Sequence, residues 1–201
     1  EALEKFGLQE GRITVGLLPG SRKTEVARLL PVMIKAAEIL VHKLPGLQFV
    51  LPLADTLDQA AVDNILKQSF VPVQIVHHDM LDAIHVSDIV IVASGTATLE
   101  TALLGKPMVI VYKVSPLSYY IGKKIITVKH IGLANIIAGK TIVPELIQDE
   151  ANPERIAAEV TGILNDKTRM DEIKTELNKI TETLGQPGAA ERTARLAYDM
   201  L

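Results

Sequence analysis

Asp88-Ile89-Val90-Ile91-Val92-Ala93 runs directly into Ser94-Gly95-Thr96-Ala97-Thr98-Leu99-Glu100. The first segment is apolar and β-branched after its opening acid, which reads as a buried strand. The second places small hydroxyl residues around a glycine and then begins a helical pattern carrying one acid. Small residues let a ligand approach the backbone. A helix start offers free N–H groups and a partial positive charge to an anion. Glu100 lies four residues beyond Thr96, so on a helix the two share a side. A carboxylate there can accept hydrogen bonds from a sugar diol. An ordinary capped turn in an α/β domain would use the same residues.

Strand and helix signals alternate on both sides of this turn. Apolar runs predict strands over 13–18, 47–53, 73–76, 88–93 and 108–112. Helical spacing covers 25–43, where Val26, Leu29, Leu30, Met33, Ala37 and Leu40 share one side and Pro31 is expected to kink or restart the helix. Helices are also predicted over 56–68, 79–86 and 98–104, the last closed by Gly105 and Pro107. Near-continuous apolar strands alternating with helices define a parallel sheet covered on both faces, a doubly wound α/β domain. With strand order 3-2-1-4-5, the crevice opens where strands 1 and 4 diverge. Two turns meet there, Leu18-Pro19-Gly20-Ser21-Arg22 and Ala93-Ser94-Gly95-Thr96. The character changes after about residue 113. The pattern predicts a short helix over 116–124, mostly loop over 128–142, and helices over 153–164, 167–184 and 189–201. The domain is thus expected to occupy 1–165, with extra C-terminal helices over 166–201.

Bulk composition narrows the function classes. Apolar content of 48% and charged content of 22% suit a globular chain. A net charge of −3 gives no basic field for nucleic acid, and four Tyr, three Phe and no Trp give no stacking platform. The absence of cysteine removes disulfides and thiolate metal sites and fits a cytosolic setting. No apolar run approaches the roughly 18 residues of a spanning helix, and no signal peptide is visible. The chain starts at Glu1 and not at Met, so it is expected to be a piece of a longer polypeptide.

Pro19-Gly20-Ser21-Arg22-Lys23 precedes a helix and matches neither G-x-x-x-x-G-K-[ST] nor G-x-G-x-x-G. It still supplies a glycine, a hydroxyl, backbone amides and two cations, and Arg22 can grip phosphate oxygens bidentately. The alternative is that Arg22 and Lys23 are solvated turn residues. His77, His78, Asp79, Asp82 and His85 lack the spacing of a zinc helix, so solvated or capping roles are expected. Strand 3 is expected to lie away from the crevice. Asn135, a polar amide among apolar neighbours, is either turn chemistry or a ligand contact. Lys113, Lys123, Lys124, Lys129 and His130 interleave with Leu117, Tyr119, Tyr120, Ile121, Ile125 and Ile126. Such a segment either lies on an anionic membrane surface or is a core-facing helix with solvated lysines.

Taken in order, these pieces resemble the lipid-A-disaccharide synthase family. The residues that carry the resemblance are Leu17 to Arg22, Glu25, Leu29-Leu30-Pro31, Ala93 to Glu100, Gly105-Lys106-Pro107-Met108 and Asn135-Ile136-Ile137-Ala138-Gly139. The resemblance covers about 13–201. It implies a GT-B glycosyltransferase with two Rossmann-like domains facing a cleft, of which this chain would be the C-terminal, donor-binding half. The implied reaction moves 2,3-diacylglucosamine, with inversion, from its UDP donor to 2,3-diacylglucosamine 1-phosphate in lipid A biosynthesis. The implied setting is cytoplasmic, peripheral on the inner membrane of a Gram-negative bacterium. By resemblance, Arg22 and Asn135 are the catalytic positions, and Gly20, Ser21, Arg22, Ser94, Gly95, Thr96 and Glu100 bind the donor nucleotide. No metal or cofactor is implied, and the base would come from the N-terminal half. Ala134 stands where the family often has Pro, which bears on the rigidity of that loop. The final helices are expected to pack toward an N-terminal acceptor domain. Arg192, Leu196, Tyr198 and Met200 would then expose apolar surface and favour self-association, a homodimer being one form of it. The alternatives are another UDP-sugar enzyme of this fold, such as an epimerase, and a non-catalytic nucleotide-binding module.

Overall fold

The computed structural model describes residues 2–115, 119, 129–184 and 188–200. Six parallel strands form one sheet in the order β3-β2-β1-β4-β5-β6. They are β1 (Thr14–Leu18), β2 (Gln48–Leu53), β3 (Val73–His77), β4 (Ile89–Ala93), β5 (Met108–Tyr112) and β6 (Glu145–Ile147). β1 and β4 are buried at every position, as strands in the middle of a doubly covered sheet must be. β3, at one edge, is buried only at Val76. Registers such as Leu18↔Val92 and Val92↔Ile110 align the strand ends, so the loops that follow them share one rim.

The helices are α1 (Ala2–Lys5), α2 (Lys23–Lys43), α3 (Gln59–Leu66), α4 (Met80–Val86), α5 (Thr96–Leu103), α6 (Leu133–Ala138), α7 (Pro153–Asn165), α8 (Lys167–Leu184) and α9 (Ala189–Asp199). α2 packs with α3 and α7, while α5 packs with α6 and α8. The main core fills the space between these helices and the sheet, with Leu30, Met33, Leu40, Ile91 and Ile110 fully buried. A smaller cluster of Phe6, Leu8, Val50, Val76 and Ala83 seats the N-terminal arm under β2 and β3.

Two expectations need correction. α2 runs unbroken through Pro31, because Leu29, Leu30, Met33 and Ile34 on both sides of it are buried and hold the turn in place. The region expected as mostly loop contains α6, and an unexpected β6 extends the sheet beside β5. The expected helix over 116–124 falls outside the described residues except for Tyr119. Asn152 caps α7 by accepting from Arg155 N at 2.9 Å, and Pro153 takes the first helical position, as its missing N–H allows.

Candidate functional site

A cavity of about 590 Å³ opens at the carboxyl rim of the sheet, over the ends of the paired strands β1 and β4. The turn after β1 supplies Gly20, Ser21 and Arg22, and the turn after β4 supplies Ser94, Gly95 and Thr96. The sheet places both turns together, as the two sequence segments predict. Gly20 has φ +104°, and a Cβ on it would stand 2.5 Å from Glu25 Oε2. Only glycine lets the chain turn this tightly against the first turn of α2. Neither α2 nor α5 has a side-chain cap at its start. Their first N–H groups are therefore open to an anionic ligand.

Arg22 is held over the turn by Nη1 donating to Glu25 Oε1 at 2.8 Å, with its side chain 79% exposed. Thr56 Oγ1 donates to Ser21 O at 2.6 Å and ties the loop after β2 to the same turn. Opposite the glycine turns, Asp55, His78, Asp79 and Met80 complete the wall. β3 itself lies at the sheet edge, away from the crevice as expected, but the loops after β2 and β3 curl over the rim and bring Asp55, His78 and Asp79 to it. His78 takes the left-handed conformation at φ 61°, and its Nδ1 lies 2.9 Å from Asp55 Oδ1. Asp79 does not cap α4; it pairs with Lys5 Nζ at 2.9 Å, and that bond raises the Lys5 pKa. The repeated His and Asp after strand 3 were visible in the sequence, but their partner Asp55 was not. Among the described residues, no group of three or more His, Cys, Asp or Glu is arranged to hold a metal ion.

Glu100 and Asn135 do not line the cavity. Glu100 lies on α5, and its Oε2 is shielded from water with no hydrogen-bond partner. Asn135 is fully buried on α6. Its Nδ2 donates to Val143 O at 2.9 Å and Glu145 Oε1 at 2.7 Å, and its Oδ1 accepts from Ile142 N at 2.8 Å and Val143 N at 3.1 Å. Those four bonds use its whole capacity. Glu145, which the sequence reading did not single out, is the partner that organises this corner.

A parallel sheet ordered 3-2-1-4-5-6, with helices on both faces and a cavity at the switch point, is the architecture of one half of a GT-B glycosyltransferase. Solved structures share it at low sequence identity. A spinosyn rhamnosyltransferase complexed with thymidine diphosphate matches with a TM-score of 0.63 at 16% identity, over 94% of this chain and 47% of that one. A putative UDP-N-acetylglucosamine 2-epimerase from Listeria monocytogenes matches with a TM-score of 0.60 at 16% identity, over 86% of this chain and 41% of that one.

The sequence goes further than the fold. The profile of the family described as lipid-A-disaccharide synthetase matches residues 1–199. The lipid-A-disaccharide synthase of Syntrophus aciditrophicus is 54% identical over 202 residues, covering 100% of this chain and 53% of that protein. That of Geobacter metallireducens is 47% identical over 201 residues, covering 100% of this chain and 52% of that protein. The chain belongs to the lipid-A-disaccharide synthase family, and it spans about half the length of the curated relatives it matches.

Proposed function

We propose that this chain binds the UDP moiety of UDP-2,3-diacylglucosamine, as the donor half of an enzyme that transfers the sugar to 2,3-diacylglucosamine 1-phosphate. The carrying observation is the cavity that gathers Gly20, Ser21 and Arg22 with Ser94, Gly95 and Thr96 between two uncapped helix starts. The fold is shared with an epimerase, and the family match favours the synthase between those two readings.

Departure of UDP leaves negative charge on the β-phosphate. In this reading the Arg22 guanidinium and the N–H groups at the starts of α2 and α5 meet that charge, which needs no metal ion. Arg22 then exchanges part of its bond to Glu25 for phosphate oxygens. Glu100 lies one turn beyond Thr96 and outside the cavity lining, so in this reading its partnerless Oε2 turns outward to accept from a ribose hydroxyl when the nucleotide binds. Asn135 acts at one remove, by shaping the backbone near the turn. At the C-terminal helix α9 and just past it, Leu196, Tyr198 and Met200 are 66%, 77% and 87% exposed, apolar surface that would pack toward an acceptor domain or a second copy. Contact with an anionic membrane surface belongs to the same reading and draws on the basic, apolar stretch from Lys113 to His130.

Calorimetric titration with UDP tests the assignment. Binding is expected with and without magnesium. Arg22→Ala should weaken it by about 10- to 100-fold, the worth of a charge-assisted hydrogen bond. Glu100→Ala should weaken it less, by about tenfold. Unchanged affinity in both variants would move the nucleotide elsewhere.

A further inference from the structure

Glu145 begins the short edge strand β6 and is a buried acid, its side chain only 8% exposed. Among the described residues no Lys or Arg pairs with it, and the His130 Nδ1 stands 4.0 Å away. Its carboxylate is met instead by three N–H donors. Ile131 N donates to Oε2 at 2.9 Å, and Gly132 N and Asn135 Nδ2 donate to Oε1 at 3.1 and 2.7 Å. An apolar residue beside β5 would bury at lower cost, since a screened carboxylate must be fully solvated by its neighbours. What a carboxylate adds here is convergence: it fixes several N–H groups at once.

The segment so fixed touches the cavity turn at two points. Ser94 Oγ donates to Ile131 O at 2.8 Å. Leu133 N donates to Thr98 Oγ1 at 3.2 Å, and that hydroxyl donates to Gly95 O at 2.7 Å. Residues 131–133 thus grip Ser94 and Thr98, which bracket Gly95 and Thr96 in the cavity wall. Gly132 allows no slack. A Cβ there would run into Ile110 and stand 3.3 Å from Glu145 Oε1.

We infer that Glu145 is a positioning residue for the donor-phosphate turn: through Ile131, Gly132 and Leu133 it sets the placement of Ser94 and Gly95. This rests on reading the cavity as a nucleoside diphosphate site. It also gives Asn135 its task, which is to orient Glu145 and not to touch substrate.

Glu145→Gln keeps the size but turns one acceptor into a donor facing other donors. In the ligand-free protein the amide resonances of Gly95 and Thr96 should shift. UDP affinity should fall by about tenfold. In a double-mutant cycle with Ser94→Ala, the double variant should lose less than the product of the two single losses, because both cut the same relay. A merely structural role would lower the melting temperature and leave the two losses independent. Independent losses, or unchanged Gly95 and Thr96 resonances in folded Glu145→Gln protein, would overturn the inference. If that variant does not fold, Glu145→Asp replaces it, keeping the charge but shortening its reach to Ile131 N and Gly132 N, and must move the amides of Gly95 and Thr96; unmoved amides overturn the inference equally. A wild-type chain that binds no UDP removes the nucleotide reading alone, because the ligand-free resonances still decide whether Glu145 sets the turn.

Discussion

Glu176 on α8 accepts from Lys140 Nζ at 2.6 Å and Lys179 Nζ at 2.7 Å. These bonds hold its carboxyl below the usual carboxylate range. Lys140 follows α6, so the bond ties the α6 corner to α8. The folded state therefore binds this proton less readily than the unfolded chain. The stabilisation is complete above the unfolded pKa and is lost as pH falls through the folded one. Urea unfolding of wild type and Glu176→Gln should differ at pH 7, with the gap closing below about pH 4. A gap that stays constant down to pH 3 would refute the linkage. Legibility at this scale followed sequence distance. The two turns that bring Gly20, Ser21, Arg22, Ser94, Gly95 and Thr96 to the cavity could be read because each sits directly after an apolar strand. Asn135 was visible as a polar residue among apolar ones, but its direction was not, since Glu145 and Val143 receive it from a different element. Asp55 and His78 meet across two strands, and no spacing rule pairs them.

At the scale of elements, β1 and α4 meet at Gly16, which faces Val50 and Val90 in the neighbouring strands. A Cβ on Gly16 would stand 2.7 Å from Ser87 Oγ, which itself donates to Ala83 O at 2.7 Å and closes α4. Gly16→Ala must push β1 away from α4, at a cost of about 1–3 kcal/mol in a close-packed interior. Ser87→Ala introduced into Gly16→Ala should restore part of that loss by removing the obstructing oxygen. Denaturant midpoints of the three variants check this, and a double variant no better than Gly16→Ala would place the strain elsewhere. The long elements were legible because burial repeats along them: β1 and β4 are apolar throughout, and α2 carries a core stripe over 21 residues. α6 and β6 were not, because six and three residues are too short to show a period. α6 lies between Gly132 and Gly139 and is held by Asn135 and Glu145, which are tertiary bonds. Pro31 misled for the opposite reason: a local helix breaker was overridden by packing on both sides of it.

At the scale of the whole molecule, the proposed nucleotide binding and the proposed sugar transfer are expected to separate. The proposed transfer with inversion would require a base to take the acceptor hydroxyl proton. The cavity's carboxylates are already engaged: Glu25 holds Arg22, Asp55 holds His78, and Asp79 holds Lys5. The chain also spans about half the length of its relatives, and Leu196, Tyr198 and Met200 at the C-terminal helix are exposed. The isolated chain is therefore expected to bind UDP and to release no disaccharide from donor and acceptor, whereas a protein of the relatives' full length turns over. Within such a full-length protein, Leu196→Ser with Met200→Ser should lower the melting temperature, because the α9 face then packs poorly. The same pair in the isolated chain should leave UDP affinity unchanged, since α9 lines no part of the cavity. Product formation by the isolated chain above the uncatalysed rate would return the base to this half. The engaged acids nearest the turn, Glu25 and Asp55, would then be the first to substitute.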